Sequence, residues 1–325
     1  MLLANFTHNP VRESVRWVVE HAQHVRIDDQ RLASLAAELK PAPMDCWWKH
    51  APYSLTPAAL EERLNQLALF SLLCFSYWHE QKWQLEYNGQ KVDGSYALLA
   101  ALERAQAEGL PVWSLRWWRG APFHAFERVV RGQGTLPFVA ERWKFAQQLG
   151  RIITERYQES LLHWLSVGGF DPARLLRMAI EELPCADDKV VYEGKEVVFF
   201  KRAQLLVMDL LLVVDQAGRA PKPIRFDFFT AGSDYKLPQL LRHRGVLEYS
   251  EPLAAKIDAM EEVVSGSAEE VEIRALTVHA VELIAAATAQ RGSKMTPCEI
   301  SNAIWLESQD SSEFKPYHRT RTIHY

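Results

Sequence analysis

The segment KVVYEGKEVVFFKRAQLLVMDLLLVV, residues 189–214, contains both kinds of local structure on which the fold depends. Two valine-rich runs flank Glu193-Gly194, and this pattern predicts a β-hairpin with a two-residue turn. The run that begins at Lys201 is apolar over most of its length and predicts a buried helix. Asp209 interrupts this run. Because a buried carboxylate needs a partner, we expect Asp209 to form a structural ion pair.

Outward from this segment, the pattern is mostly helical. A second hairpin is predicted where WQLEY and QKVD flank Asn88-Gly89. Thr56-Pro57 and Asp171-Pro172 are signals for the start of a helix. The periodicity predicts helices over residues 14–25, 56–78, 96–107, 138–156, 158–167, 171–182 and 201–214, and mainly helical structure over 237–305. No internal repeat or linker divides the chain, so we predict one compact, mainly α domain over residues 1–325 with two small β-hairpins.

Composition and charge restrict the class of function. The 325 residues include 37 basic and 41 acidic side chains, a net charge of −4. This balance disfavours a stable complex with a long nucleic acid but allows a small anionic ligand. The 11 tryptophans either fill the core or stack on planar ligands. The sequence therefore favours a protein that binds a small molecule.

The cysteines and the apolar runs indicate the cellular compartment. Four cysteines lie far apart without the spacing of a metal site, and no motif for a cofactor is complete, so we expect neither metal nor cofactor. Reduced thiols are typical of the cytoplasm. No apolar run reaches the ~18 residues of a membrane span. We therefore expect a cytoplasmic protein without a membrane segment.

Six segments together resemble one known family. They are CFSYWHEQKW (74–83), GSYALLAALERA (94–105), VVFFKRAQLLVMDL (197–210), SDYKLPQLLRHRGVLEYS (233–250), VEIRALTVHAVELI (271–284) and PYHRTRTIHY (316–325). In this order they resemble the queuosine salvage protein family, and the resemblance extends from about residue 25 to residue 325. It implies an α-helical fold similar to that of helix-hairpin-helix DNA glycosylases. The implied reaction is hydrolysis of the N-glycosidic bond of queuosine 5′-monophosphate, or of a related 7-deazapurine nucleotide or nucleoside, which releases queuine for reuse in tRNA modification.

Asp234 is the candidate catalytic residue. Hydrolysis of an N-glycosidic bond passes through a positively charged, oxocarbenium-like sugar that a carboxylate can stabilise. Asp234 precedes a predicted helix, where an acidic residue is electrostatically favoured. The resemblance places the catalytic aspartate of the family at this position. The same position also suits a helix cap, and the two roles are compatible.

The candidate binding residues carry cationic or aromatic groups. Lys201 and Arg202 open a helix, where amide groups and an adjacent cation suit a phosphate, although a solvated cation pair has the same sequence. Three aromatic residues at the end of the long predicted helix, Phe75, Tyr77 and Trp78, suit a stacked base, although aromatic residues at helical spacing are more often part of a core. Arg319 in the tail suits either a phosphate or docking of the tail to an acidic surface. Together with the resemblance, these arguments give as substrate-binding candidates His50, Trp78, Lys201, Arg202, Phe229, Tyr235, Trp305 and Arg319.

Three positions depart from the family pattern. Gly232 replaces an aromatic residue, while Ser301 and Leu306 replace two aspartates that are expected to recognise the base. Loss of a partner for a buried polar group costs about 1–3 kcal/mol, so we expect altered base recognition. The carboxylate at Asp234 is retained. Neighbouring residues that could substitute are Glu299, Glu307, Asp227 and Phe229.

Two other functions fit parts of the sequence. The departures from the family pattern are compatible with a non-catalytic nucleotide-binding or sensing protein on the same scaffold. A glycosylase that acts on DNA or tRNA is a third hypothesis. The acidic net charge disfavours it, because extrusion of a base from a polymer is normally supported by a basic groove.

Overall fold

Helix Lys201–Gln216 is buried along most of its length, as its apolar sequence predicts. The structure, a computed structural model, describes residues 8–40, 44, 46–49, 52, 55–309 and 312–325. Within these residues the α-helices are α1 Pro10–His21, α2 Asp29–Glu38, α3 Leu60–Leu73, α4 Gly94–Ala107, α5 Leu115–Gly120, α6 Phe123–Val129, α7 Val139–Arg156, α8 Leu161–Val167, α9 Pro172–Glu182, α10 Lys201–Gln216, α11 Lys236–His243, α12 Glu251–Asp258, α13 Ala268–Gln290 and α14 Pro297–Glu307. The predicted mainly helical class is confirmed. The likeness to helix-hairpin-helix glycosylases stays a prediction.

The strands form three antiparallel pairs in the described part of the chain. Their bounds are β1 Val25–Ile27, β2 Gln84–Tyr87, β3 Gln90–Asp93, β4 Lys189–Tyr192, β5 Lys195–Val198 and β6 Leu247–Tyr249. The β2–β3 and β4–β5 hairpins are both as predicted. Their turns, Asn88-Gly89 and Glu193-Gly194, have positive φ at both residues, as two-residue hairpin turns require. The pairing of β1 with β6 was not predicted, because it joins two three-residue strands that are far apart in sequence.

Helix α3 differs from its predicted bounds at both ends. Residues 56–59 are not helical, and the helix begins at Leu60 instead of after Thr56. It ends at Leu73 instead of residue 78 because the chain changes direction, with Ser76 at a φ of 38°. The buried guanidinium group of Arg142 donates hydrogen bonds to the carbonyl groups of Leu73, Phe75 and Ser76. These bonds satisfy carbonyls that a continuing helix would have used and turn the following segment toward the cavity described below.

The other helix boundaries follow local signals. Asp171 caps α9 as predicted, since its Oδ1 accepts a hydrogen bond from the N–H of Arg174 at 3.0 Å. Helix α1 starts and ends earlier than predicted because Asn9 caps it and Pro10 occupies its first turn. Helices α2, α5 and α6 were not predicted: α5 and α6 are too short for a clear helical period, whereas α2 carries a local cap, Asp28, that was overlooked.

The helices pack in two connected groups. Helix α10 packs against α3 and α9, while α13 packs against α1, α2 and α14. The buried apolar side chains form one continuous cluster from Val11 to Ile304. The single domain over residues 1–325 stays a prediction. None of the helices in the described residues is both long and apolar enough to cross a bilayer.

A buried ionic cluster fastens the C-terminal tail, residues 312–325, to α13. Arg274 donates to both carboxylate oxygens of Asp188, at 3.0 and 2.6 Å, and both side chains are almost fully buried. Glu270 lies one helical turn before Arg274 and accepts a hydrogen bond from the hydroxyl group of Tyr325 at 2.7 Å. The carbonyl oxygen of Tyr325 accepts a hydrogen bond from the N–H of Ser76 at 2.8 Å. The end of the tail is therefore held between α13 and the segment after α3.

Candidate functional site

A cavity of about 810 Å³ lies between α10, α14 and the segment before α11. Its remaining walls come from the segment after α3, the β2–β3 hairpin, the first turn of α4 and the tail. Sites for small molecules typically have volumes of about 300–1,000 Å³. The cavity therefore has the dimensions of a small-molecule site.

Asp234 lies on the cavity wall two residues before the start of α11. Its Oδ1 accepts hydrogen bonds from the N–H groups of Lys236 at 2.8 Å and Leu237 at 3.1 Å. Tyr235 occupies the N-cap position, and Asp234, one residue earlier, supplies the carboxylate that accepts from the first two amides of the helix, whose positive end complements it. No residue in the described ranges donates to Oδ2. This second oxygen is therefore available to a group in the cavity.

Lys201 brings an ammonium group to the same cavity. The residue is only 6% exposed, yet Nζ has no hydrogen-bond or ion-pair partner among the described residues. The N–H of Lys201 donates to Asp188 Oδ2 at 3.4 Å, so the first amide of α10 is already used. The expected anion-binding group at this helix start is therefore the ammonium group of Lys201 rather than the amide.

Arg202 does not line the cavity, although it follows Lys201 directly. Successive residues on a helix point in directions about 100° apart. The guanidinium group of Arg202 donates to the carbonyl oxygens of Leu72, at 2.7 Å, and Cys185. It also lies 4.7 Å from the ring centroid of Phe75. The structure therefore places Arg202 between packed elements, where it joins α3 to the chain that precedes β4.

Three of the predicted aromatic residues line the cavity and one does not. Trp78 and Tyr235 both donate to the carbonyl oxygen of Thr320, at 2.9 and 2.6 Å, and this shared acceptor ties both rings to the tail. Trp305 lines the cavity from α14. Phe229 is fully buried against neighbouring phenylalanines and lies outside the cavity lining.

Arg319 reaches the cavity from the docked tail. Its carbonyl oxygen accepts a hydrogen bond from the N–H of Val263 at 2.8 Å, and its guanidinium group donates to the carbonyl oxygen of Met260 at 3.4 Å, so the tail is docked here through neutral groups and not, as one prediction had it, through an acidic surface. The guanidinium group lies 5.8 Å from the ring centroid of Trp78, so the side chain also forms part of the wall. His50 lies outside the described residues, and its predicted role stays a prediction.

Asp209 is a cavity residue that the sequence analysis assigned to a structural ion pair, and that assignment was wrong. No cation of the described chain lies within ion-pair distance; instead, Oδ2 accepts a hydrogen bond from Nε1 of Trp47 at 3.1 Å. Lys201 is eight residues earlier on α10, about 12 Å along the helix axis. Burial raises the pKa of Asp209 to about 7, against the opposing effects of the Trp47 bond and the charge of Lys201. The feature of the sequence that could have indicated a cavity residue here is a lone carboxylate in an apolar helix.

The positions that depart from the family pattern differ in their relation to the cavity. Gly232 and Ser301 line it, whereas Leu306 does not. A Cβ atom on Gly232 would lie 3.4 Å from Leu205 Cδ2 and 3.6 Å from Lys201 Cγ, which are ordinary contacts. Position 232 can therefore accommodate a side chain, and the glycine leaves that volume to the cavity.

None of the proposed acidic substitutes lines the cavity. Glu299 belongs to the capping box of α14, Glu307 pairs with Arg244, and Asp227 pairs with Arg225. Over the described ranges, no group of three or more His, Cys, Asp or Glu side chains is arranged to hold a metal ion.

The chain is similar to known proteins over most of its length. A family model described as queuosine salvage protein matches residues 55–325. The queuosine 5′-phosphate N-glycosylase/hydrolase of Sphaerobacter thermophilus is 32% identical over 321 residues, which cover 97% of each chain. Proteins of the same name from Mus musculus and Bos taurus are 30% and 31% identical, over 97% of this chain and 98% of their own.

The fold and the site define a helical protein whose aromatic-walled cavity holds both a carboxylate and an ammonium group. Such a cavity suits a planar ligand that carries an anionic group. Since the family model and the relatives extend over most of the chain, this protein belongs to the queuosine salvage protein family.

Proposed function

We propose that this protein hydrolyses the N-glycosidic bond of queuosine 5′-monophosphate and releases queuine. One observation carries the proposal: Asp234 and Lys201 line the same cavity, which is large enough for a nucleotide. One carboxylate oxygen of Asp234 and the buried ammonium group of Lys201 have no partner among the described residues. The names of the relatives support the same reaction.

Asp234 is proposed to stabilise the sugar in the transition state. As the bond between C1′ and the ring nitrogen of the base breaks, positive charge develops on the ribose. A carboxylate held rigidly by two backbone N–H groups offers its free Oδ2 to that charge without reorganisation. Water supplies the hydroxyl group to C1′, and its remaining proton goes to the departing base.

The other cavity residues are proposed to bind the two ends of the nucleotide. The ammonium group of Lys201 binds the 5′-phosphate, and Arg319 adds a second positive charge from the tail. The rings of Trp78, Tyr235 and Trp305 offer faces or edges to the base, and stacking contributes about 1–3 kcal/mol per base. Fixation of both ends places C1′ beside Asp234.

The location and the kind of partner are also proposed. The four cysteines, all in the described part of the chain, are not joined by disulfide bonds, which is the state that the cytoplasm maintains. We therefore propose a cytoplasmic protein. The net charge of −4 supports a free nucleotide rather than a nucleic acid polymer as the partner.

The proposal is tested by incubation of the purified protein with queuosine 5′-monophosphate and chromatography of the products. Release of queuine and ribose 5-phosphate in equal amounts is expected. If the nucleotide binds but stays intact, the proposed hydrolysis is refuted and the non-catalytic binding protein is favoured. Tight binding of tRNA at low salt together with cleavage in the polymer would instead favour a glycosylase that acts on nucleic acid.

Replacement of the buried ammonium group tests the phosphate site. Lys201→Met keeps most of the side-chain volume but removes a charge-assisted hydrogen bond worth about 1.5–3 kcal/mol. We expect KM for the monophosphate to rise roughly 10- to 100-fold, because 1.36 kcal/mol corresponds to tenfold. KM for the nucleoside queuosine is expected to change little.

Steady-state kinetics on both substrates measures this difference. Lys222→Met, which removes an exposed lysine outside the cavity lining, is the matched control and is expected to behave like the parent. An equal loss on nucleotide and nucleoside would contradict phosphate binding by Lys201.

A further inference from the structure

Among the described residues, three aspartates line the cavity, and they differ in whether their carboxylate oxygens are free to accept hydrogen bonds from a ligand. Asp93 forms an ion pair with Lys82 at 2.7 Å, and its side chain is about half exposed. Asp234 is half-buried and holds the start of α11. Asp209 is only 4% exposed and has no cationic partner among the described residues. It is therefore the buried carboxylate of this cavity that no described cation neutralises and that the proposed reaction does not use.

The contacts of Asp209 leave one oxygen for the cavity. Oδ2 accepts a hydrogen bond from Nε1 of Trp47, whose ring packs against Phe70 with centroids 4.8 Å apart. No donor of the described chain reaches Oδ1. A tryptophan ring fixed by packing thus orients the carboxyl group while half of its hydrogen-bonding capacity stays unused. A buried polar group in this state is unfavourable until a ligand supplies the missing donors.

The position of Asp209 along α10 indicates which part of a nucleotide it meets. Lys201 lies about 12 Å earlier on the helix axis. If the phosphate is bound by Lys201, the sugar and base extend along the helix toward Asp209. Ser301 and Gly232, the departures that line the same cavity, supply no carboxylate to recognise the base.

We propose that Asp209 is a specificity-determining residue that accepts hydrogen bonds from the ring N–H and amino group of a guanine-like base. Trp47 is the positioning residue that holds its carboxyl group. The inference rests on the proposed function, because it takes the orientation of the nucleotide from the phosphate site. A site built to accept hydrogen bonds rejects ligands that lack the donors, because its own polar group then stays unpaired.

Binding of free bases tests the inference without reliance on turnover. The probes are 7-deazaguanine, which carries the amino group, and 7-deazahypoxanthine, which lacks it, and calorimetry gives both dissociation constants. The parent protein is expected to prefer 7-deazaguanine by roughly tenfold or more. Asp209→Asn presents an N–H group where an acceptor is needed or rotates at the expense of the Trp47 bond, so the preference is expected to fall below about threefold.

A second variant and a control separate recognition from folding. Trp47→Phe keeps an aromatic ring but removes the donor that orients Asp209, and a reduced preference is expected there as well. Asp215→Asn, at the exposed end of α10, is expected to keep the preference of the parent. In kinetics with queuosine 5′-monophosphate, Asp209→Asn is expected to raise KM about 10-fold or more with little change in kcat.

The outcomes distinguish this inference from the proposed function. An unchanged preference in folded Asp209→Asn overturns the inference, whether or not the nucleotide is cleaved. A preference that is lost in Asp209→Asn supports it even if the parent does not cleave the nucleotide, in which case only the proposed hydrolysis is refuted.

Discussion

Asp234→Asn is expected to lower kcat for queuosine 5′-monophosphate by about 10²–10⁴-fold with little change in stability. The neutral amide cannot balance the positive charge that develops on the ribose. Its side-chain oxygen can still accept the two backbone hydrogen bonds at the start of α11. Asparagine caps helices about as well as aspartate. The substitution therefore separates the two roles that the sequence left combined at this position.

The measurements are turnover under substrate saturation and thermal unfolding of the same samples. Asp171→Asn is the matched control, because Asp171 also caps a helix, α9, but lies outside the cavity lining. It is expected to retain the turnover of the parent. If Asp234→Asn turns over within about threefold of the parent, the carboxylate is only a cap, and the chemistry must be assigned to another group.

Local signals predicted several parts of the fold that depend on neighbouring residues, although α2, capped by Asp28, was missed. Asn88-Gly89 and Glu193-Gly194 specify hairpins because both positions of the turn need positive φ. Asp171 specifies the start of α9, because its carboxylate accepts a hydrogen bond from the N–H group three residues later. The pairing of β1 with β6 and the early end of α3 were missed. Both depend on groups far away in sequence, such as the guanidinium group of Arg142.

The candidate site shows the same division. Asp234 and Lys201 could be predicted because each stands at the start of a helix within a recognisable segment, and the structure brings both to the cavity. Arg202 stands in the same segment, but the direction of a helical side chain relative to the cavity depends on how α10 packs. Asp209 was assigned to an ion pair because its indole partner, Trp47, is 162 residues away. The sequence shows which chemical groups are present, but which neighbours these groups contact depends on the packing of distant segments.

The second large effect is expected on the stability of the protein, from loss of the buried ion pair between Arg274 and Asp188. Arg274→Met is expected to lower the free energy of unfolding at pH 7 by about 3–5 kcal/mol, because it leaves a buried carboxylate without its partner. Asp188 and Arg274 are joined by two hydrogen bonds, and their side chains are 4% and 3% exposed. Methionine fills much of the same space, so the expected loss reflects the missing charge and hydrogen bonds more than a cavity.

The pH dependence of this loss has a definite sign. Burial by itself raises the pKa of Asp188, but the charge and hydrogen bonds of Arg274 outweigh burial and hold the pKa below its ordinary value. In the parent, this contribution to stability is present above the ordinary pKa of about 4 and is lost only as pH falls through the lowered pKa. Without Arg274, burial dominates and raises the pKa of Asp188. Protonation at mildly acidic pH then removes the unpaired buried charge and so reduces the loss of stability in the variant. The difference between parent and variant is therefore expected to be smaller at pH 5 than at pH 7.

Urea denaturation at both pH values measures this difference. Arg26→Met is the control, because Arg26 pairs with Glu248 on the surface and its side chain is 80% exposed. Exposed pairs contribute about 0–1 kcal/mol, so this variant is expected to stay close to the parent at both pH values. A loss for Arg274→Met no larger than that of the control would contradict the assignment of the buried cluster as the anchor of the tail. Loss of Arg274 is also expected to disturb the cavity, because Tyr325 donates a hydrogen bond to Glu270 of this cluster and lines the cavity.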